Sequence, residues 1–260
     1  MDESYQVYIN RVARMTLPEA YRSQVQHIQA SPKFQRHNGG YRAAAFPGYS
    51  VITPPSVEDG DNATCYQQLH ELYQVLSDRL SIDQWVPLPP DSFHMTLADL
   101  IWDSAYRHAD EQPDFQDKLQ ICLKASFEQC RPQVEKGYPA HWQVLGLIVM
   151  PRALGVCLAP KDEESYNRIL HLRRAIYQNP TLIGLGIDQQ YHFTAHITLG
   201  YFGEAMAETE RNSLSTALTE INDQWLAVDS KGFAIHHAEL RKFDDMTRYY
   251  REPTWAVLDF

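Results

Sequence analysis

The chain carries one short phrase twice. Residues 92–100 read S-F-H-M-T-L-A-D-L, and residues 194–202 read T-A-H-I-T-L-G-Y-F. Both contain His-x-Thr-Leu with an apolar residue between the histidine and the threonine. In an extended strand, residues two apart point to the same side. His94 and Thr96 therefore share a face, as do His196 and Thr198. Phe93, Met95 and Leu97 point the other way, and so do Ile197 and Leu199. The apolar side has to be packed under a helix. The polar side has to meet a partner or water, because leaving such a group buried and unpaired costs roughly 1–3 kcal/mol. Two such strands side by side would make a groove floored by two imidazoles and two hydroxyls.

That set of groups suits a particular chemistry. An imidazole with a pKa of about 6.5 can be neutral or protonated near neutral pH. A neutral ring can take a proton from water or from a ribose hydroxyl, and a protonated ring opposite can give one to a departing oxygen. The threonine hydroxyls can hydrogen-bond the non-bridging oxygens of a phosphate held between them. The matching substrate is a phosphodiester, above all a cyclic one, and no metal or other cofactor is needed. A metal site at His192 and His196 is the rival reading. It lacks the adjacent glutamate of H-E-x-x-H and lies in a β-like segment rather than on a helix.

The rest of the chain narrows the class. Its 260 residues can bury a sizeable core, with 44% hydrophobic and 22% charged residues, as in an ordinary globular protein. The net charge of −10 argues against a protein that coats long nucleic acid, where phosphate neutralisation drives binding. A small phosphorylated ligand remains compatible with it. The four cysteines form no C-x-x-C pair and read as buried thiols. The first ten residues show no basic start and no apolar run, and no segment is long and apolar enough to span a membrane, so the expected location is cytoplasmic. Oligomeric state leaves no mark in the sequence.

Helical spacing predicts helices over residues 17–28, with Thr16 as N-cap, and over 63–80, 115–130, 163–177 and 208–226. Extended segments are expected over 42–53, bent at Pro47-Gly48, over 142–150 and 154–158 as a hairpin, and over 228–240 and 255–260. A turn is expected at residues 37–40. Strands, helices and hairpins alternate, and each His-x-Thr strand follows a helix and a loop. This order predicts an α+β fold of two similar lobes. The expected division is an N-terminal helical extension over residues 1–32 and one bilobal domain over 33–260.

Two H-x-T motifs about a hundred residues apart resemble the signature of the 2H phosphoesterase superfamily. Its members act on RNA 2′,3′-cyclic phosphates, ADP-ribose cyclic phosphates and cyclic or 2′-5′-linked nucleotides. The resemblance implies a pseudo-two-fold fold with two antiparallel sheets lining a central cleft, helices outside, and one motif from each lobe. It carries over to His94, Thr96, His196 and Thr198 as catalytic residues. The flanks, with Lys33-Phe34, Gly40, Pro47-Gly48-Tyr49-Ser50 and residues 92–96, are similar to an uncharacterised, mostly bacterial branch of about this length. They depart from it at Tyr49-Ser50, where Asn-Thr is the pattern, and at Thr194-Ala195.

The implied activity is metal-independent hydrolysis of a cyclic phosphate or a small cyclic or 2′-5′-linked nucleotide, with RNA ends among the candidate substrates. The alternative is a non-catalytic protein that holds a nucleotide or a peptide in the same cleft. Tyr49, Arg42 and Lys33 are the candidate substrate-binding residues around the motifs. Strict strand alternation puts Asp99 on the parity opposite His94 and outside the site. It leaves His192, about 13 Å along the strand from His196, beyond reach of the same ligand atom. His192 and Thr194 are expected to continue the polar face toward the cleft mouth. Arg173-Arg174 reads as a solvated or salt-bridged helix face.

Overall fold

The computed structural model describes residues 2–134, 137–189, 191–204, 206–227 and 232–260. The chain opens with helices α1 (Tyr5–Met15) and α2 (Pro18–Gln24). Ser4 starts α1 by accepting a hydrogen bond from the Val7 amide, and Tyr8 and Val12, one turn apart, bury its inner side. Thr16 closes α1 rather than starting the next helix, and α2 stops before a 3-10 turn at Val25–His27. The helix expected over residues 17–28 is therefore shorter, and its N-cap position falls on Leu17.

A hairpin of β1 (Phe34–His37) and β2 (Gly40–Ala43) follows. Asn38 and Gly39 turn it with φ of 48° and 79°, both left-handed as a type I′ turn requires. Then come β3 (Gly48–Ile52), α3 (Ala63–Arg79), β4 (Val86–Pro87), β5 (Thr96–Trp102), α4 (Asp103–Asp110) and α5 (Phe115–Cys130). The second half contains β6 (Ala140–Val149), β7 (Ala153–Pro160), α6 (Glu163–Tyr177), α7 (Pro180–Gly184), β8 (His196–Tyr201) and α8 (Glu208–Leu226). It closes with β9 (Gly232–Ile235), β10 (His237–Phe243) and β11 (Val257–Asp259). Residues 228–231, the start of one expected strand, lie outside the described residues.

The larger strands form two antiparallel sheets, in the orders β11-β10-β3-β5 and β4-β8-β7-β6-β9. The chain is thus α+β, with antiparallel sheets and helices. Met95, the residue before β5, makes an antiparallel bridge to Ile197 of β8. The two motif strands therefore meet along the seam between the sheets.

Their apolar sides go where alternation sends them. Phe93, Met95, Leu97, Ile197 and Leu199 are each no more than 2% exposed. Burial of each such side chain is worth about 1.5–3 kcal/mol. The Phe93 ring lies 6.2 Å from that of Tyr73 on α3, edge to face. Cys130 and Cys157 are buried too, and burial raises their thiols to about 11 and about 12. Among the described residues no helix is long and apolar enough to cross a membrane.

Candidate active site

The bridge between Met95 and Ile197 fixes how the two motifs face each other. Carrying its register one residue either way sets Thr96 across from His196 and His94 across from Thr198. Opposed residues in such a pair lie about 4.5–5.5 Å apart and diagonal ones about 7–8 Å. The imidazoles are the diagonal pair. Both rings and both hydroxyl-bearing side chains are half-buried, so they open to solvent at the seam.

Each ring is held in the same way. His94 Nδ1 lies 2.7 Å from the Ser92 carbonyl oxygen, and His196 Nδ1 lies 2.7 Å from that of Thr194. A carbonyl only accepts, so the neutral ring keeps its proton on Nδ1 and leaves the Nε2 lone pair for chemistry. Thr53 pins the residue between His94 and Thr96: its hydroxyl accepts from the Met95 amide at 3.0 Å, and its own amide donates to the Met95 carbonyl at 3.0 Å.

The leucine that ends each motif is a β-bulge. Ile52 pairs with Thr96 and Val51 with Ala98, so Leu97 is the extra residue in β5. Gly155 pairs with Thr198 and Leu154 with Gly200, so Leu199 is the extra residue in β8. Gly155 is small because a Cβ there would lie 2.4 Å from the Ile197 carbonyl oxygen. Each bulge resets the alternation, and the next residues on the cleft face become Asp99 and Tyr201. Asp99 is thus a correction: it belongs to the site, and strict parity fails because β5 carries one residue more than β3.

Arg173 holds the first bulge. It is 4% exposed, and its Nη1 donates to the Leu97 carbonyl at 2.6 Å. The guanidinium lies over the rings of Phe193 and Tyr177, at 4.5 and 5.1 Å from their centroids. The expected surface role fits only Arg174, whose Nε meets Asp2 at 2.6 Å. Tyr177 donates its hydroxyl to the Asp99 carbonyl at 2.8 Å, and Tyr191 donates to the Asp99 carboxylate.

Burial and neighbouring groups favour the neutral form of both rings. Burial is the main cause that pushes His94 down to about 4. The Ser92 carbonyl opposes this, the nearby charges of His196 and Arg241 add to it, and Asp99 again opposes it. His196 is also lowered, chiefly by burial, against the pull of the Thr194 carbonyl and Asp99 and with a further push from Lys33. Arg241, 2% exposed, is already neutralised by Glu239 and Glu58 at 2.5 and 2.6 Å.

Lys33 is the substrate-binding candidate that the fold brings to the motifs. Its ammonium donates to the Tyr201 hydroxyl at 3.2 Å and lies over the Phe46 and Tyr201 rings, 4.8 and 4.9 Å from their centroids. Arg42 is exposed on β2, paired in register with Gln35. The bond from the Ala44 amide to the Lys33 carbonyl, 2.9 Å, extends that register, so Arg42 shares a hairpin face with Lys33. Tyr49 is a second correction. It is 0% exposed, its hydroxyl donates to Gln116 at 2.9 Å, and its ring packs on Tyr106, Phe115 and Trp255, because β3 turns this residue toward the helices rather than the cleft.

The polar run before the second motif is also corrected, since it turns to α1: Thr194 accepts from Arg11, and His192 sits 4.0 Å from Glu3. Tyr249, in the loop between β10 and β11, was unmarked by any spacing, yet its ring centroid lies 4.2 Å from that of His94. Among the described residues no group of three or more His, Cys, Asp or Glu side chains is placed to hold a metal ion.

The sequence matches no protein-family model and no curated protein. Solved structures do resemble it. A conserved protein of unknown function from Agrobacterium tumefaciens is 14% identical, with 87% of this chain and 91% of that one covered and a TM-score of 0.56. A phosphoesterase is 13% identical over 81% of this chain and 97% of its own, with a TM-score of 0.46. Escherichia coli LigT, solved with 3′-AMP, is 12% identical over 81% and 98%, with a TM-score of 0.40. At these identities the likeness is one of fold: this chain is an α+β protein of antiparallel sheets and helices, similar in build to the Agrobacterium protein.

Proposed function

We propose that the protein is a metal-independent phosphodiesterase that hydrolyses a cyclic phosphate or a small cyclic or 2′-5′-linked nucleotide. The observation that carries this reading is the Met95–Ile197 bridge, which sets two Nδ1-anchored imidazoles and two threonine hydroxyls on one half-buried face.

In this reading, the phosphate lies between the rings, its non-bridging oxygens on Thr96 and Thr198. The anion raises the pKa of its neighbours, so one ring is an imidazolium once substrate is bound. We assign the base to His94, which is pushed down to about 4 and so stays neutral near pH 7. Its Nε2 takes a proton from water as the water oxygen attacks phosphorus. His196 gives its Nε2 proton to the departing ribose oxygen as that P–O bond breaks. A cyclic diester and water become a phosphomonoester, with one proton moved from His196 to His94. Lys33 supplies positive charge on the Thr198 side. The opposite direction, ligation, would exchange the two roles.

A turnover screen over 2′,3′-cyclic nucleotides, cyclic dinucleotides and 2′-5′ oligoadenylates, run in EDTA, tests the reading. Turnover is expected for at least one class, with a loss of about 10²-fold or more in His94→Ala and in His196→Ala. Tight binding of a nucleotide with no turnover of any diester would replace it with the non-catalytic alternative.

A further inference from the structure

We propose that helix α1 is a positioning element of this site, with Arg11 and Tyr8 fixing residues 193–195 and through them the ring of His196. The proposal rests on the acid–base reading above for its catalytic consequence, and on the hydrogen bonds below for its substance.

Arg11 spans two consecutive residues ahead of the motif. Its Nη1 donates to the Thr194 hydroxyl at 2.8 Å and its Nη2 to the Phe193 carbonyl at 2.5 Å. Glu3 holds the same guanidinium from the other side, 2.8 Å from Nη2. Tyr8, fully buried, accepts from the Ala195 amide at 3.1 Å and donates to the Leu158 carbonyl at 3.3 Å. The Leu158 amide already donates to the Ala195 carbonyl at 2.9 Å. In an unbroken antiparallel ladder the return bond would run directly from the Ala195 amide to the Leu158 carbonyl. Here the phenol stands between the two groups and satisfies both.

The Thr194 carbonyl, which sets the His196 tautomer, lies inside this clamp. Arg11 holds the side chain of Thr194, and Tyr8 holds the amide that follows it. The first motif solves the same problem locally, through the Thr53 hydroxyl on the Met95 amide. The second motif borrows its support from a helix 183 residues earlier in the chain. Loosening the clamp should leave Thr96, Thr198 and Lys33 in place while freeing the ring of His196. The loss then falls on kcat rather than on KM.

The test uses the full chain with ¹⁵N-labelled histidine, its His196 signals assigned by difference with His196→Ala. The variants are Tyr8→Phe, Arg11→Gln and the milder Arg11→Lys, and Asn10→Ala on α1 serves as control. In the parent, His196 should carry its proton on Nδ1. In Tyr8→Phe and Arg11→Gln the ¹⁵N shifts should move toward a mixture of tautomers. With a turned-over diester, kcat should fall about tenfold or more with KM within about twofold. The His196 limb of the rate profile should move to lower pH, because the carbonyl that favours the imidazolium is lost. Arg11→Lys should retain part of both signals, and it carries the test if Tyr8→Phe does not fold. Unchanged tautomer and unchanged kcat in folded variants would overturn the proposal. If the parent turns over no diester, the catalytic reading falls by itself, and the ¹⁵N spectra alone still decide whether α1 positions the ring.

Discussion

Met95 and Ile197 face each other across the seam between two sheets, and each sits between the histidine and the threonine of its own motif. One backbone pairing thereby brings together two imidazoles that are a hundred residues apart in sequence. The paired residues are apolar and buried, so the geometry of the polar face is set from behind by the core.

The assignment of His94 as base and His196 as acid can be checked with the leaving group. A good leaving group such as p-nitrophenolate needs no proton on departure. His196→Ala should therefore recover much of its lost rate on a p-nitrophenyl nucleotide diester, whereas His94→Ala should not. Rescue of His94→Ala instead would exchange the roles.

Lys33→Met should raise KM for an anionic diester by about tenfold, roughly 1.4 kcal/mol, and flatten the dependence of KM on salt. It should also move the limb that reports His196 to higher pH, since the positive neighbour that lowers this ring is gone. An unchanged KM would place Lys33 outside the substrate's path.

Stability should fall on acidification through a defined window. His94 is held down to about 4 in the folded chain, against about 6.5 when unfolded. Between those values the unfolded chain binds the extra proton, so this contribution is whole above pH ~6.5 and is lost as pH falls toward ~4. His196 works in the same direction. Urea titrations at pH 7 and pH 5 should show a smaller drop for His94→Gln than for the parent. Equal drops would mean that His94 is not depressed.

Arg173 and Arg174 are adjacent in sequence and opposite in consequence. Arg173→Leu strips the Leu97 carbonyl of its buried donor, a cost of about 1–3 kcal/mol, or about 2–4 °C in Tm for each kcal/mol in a chain of this size. Arg174→Leu removes one exposed ion pair and should stay within about 0.5 kcal/mol. Thermal scans of the two variants side by side separate these effects.

Much of the centre was legible in the sequence because period-2 alternation is simple physics. His94 with Thr96, and His196 with Thr198, share faces as that rule requires, and residues 115–130, 163–177 and 208–226 are helical as their spacing requires. Asp99 was misplaced because a bulge is invisible to a rule that counts by twos. Tyr49 was misplaced because a Pro-Gly bend does not say which face of β3 turns toward the helices. Helix α1 carries few signals beyond Ser4 and a tyrosine–valine pair one turn apart. Its role depends on Arg11 meeting a segment far along the chain, and Tyr249 likewise reaches His94 only through the fold.

The two bulged leucines make chain length itself a functional variable. Deleting Leu97 removes no polar side chain and leaves His94 and Thr96 spelled as before. It removes the bulge and restores plain alternation, so Ala98 keeps its register with Val51 and Asp99 its place on the cleft face, while Arg173 loses the carbonyl it holds. One residue added to β3 between Val51 and Ile52 does the reverse: it gives Leu97 a partner, turning Ala98 toward the ligand and the Asp99 carboxylate toward the core. A single extra codon in β3 therefore changes the charge of the wall beside the rings without altering either motif's histidine or threonine.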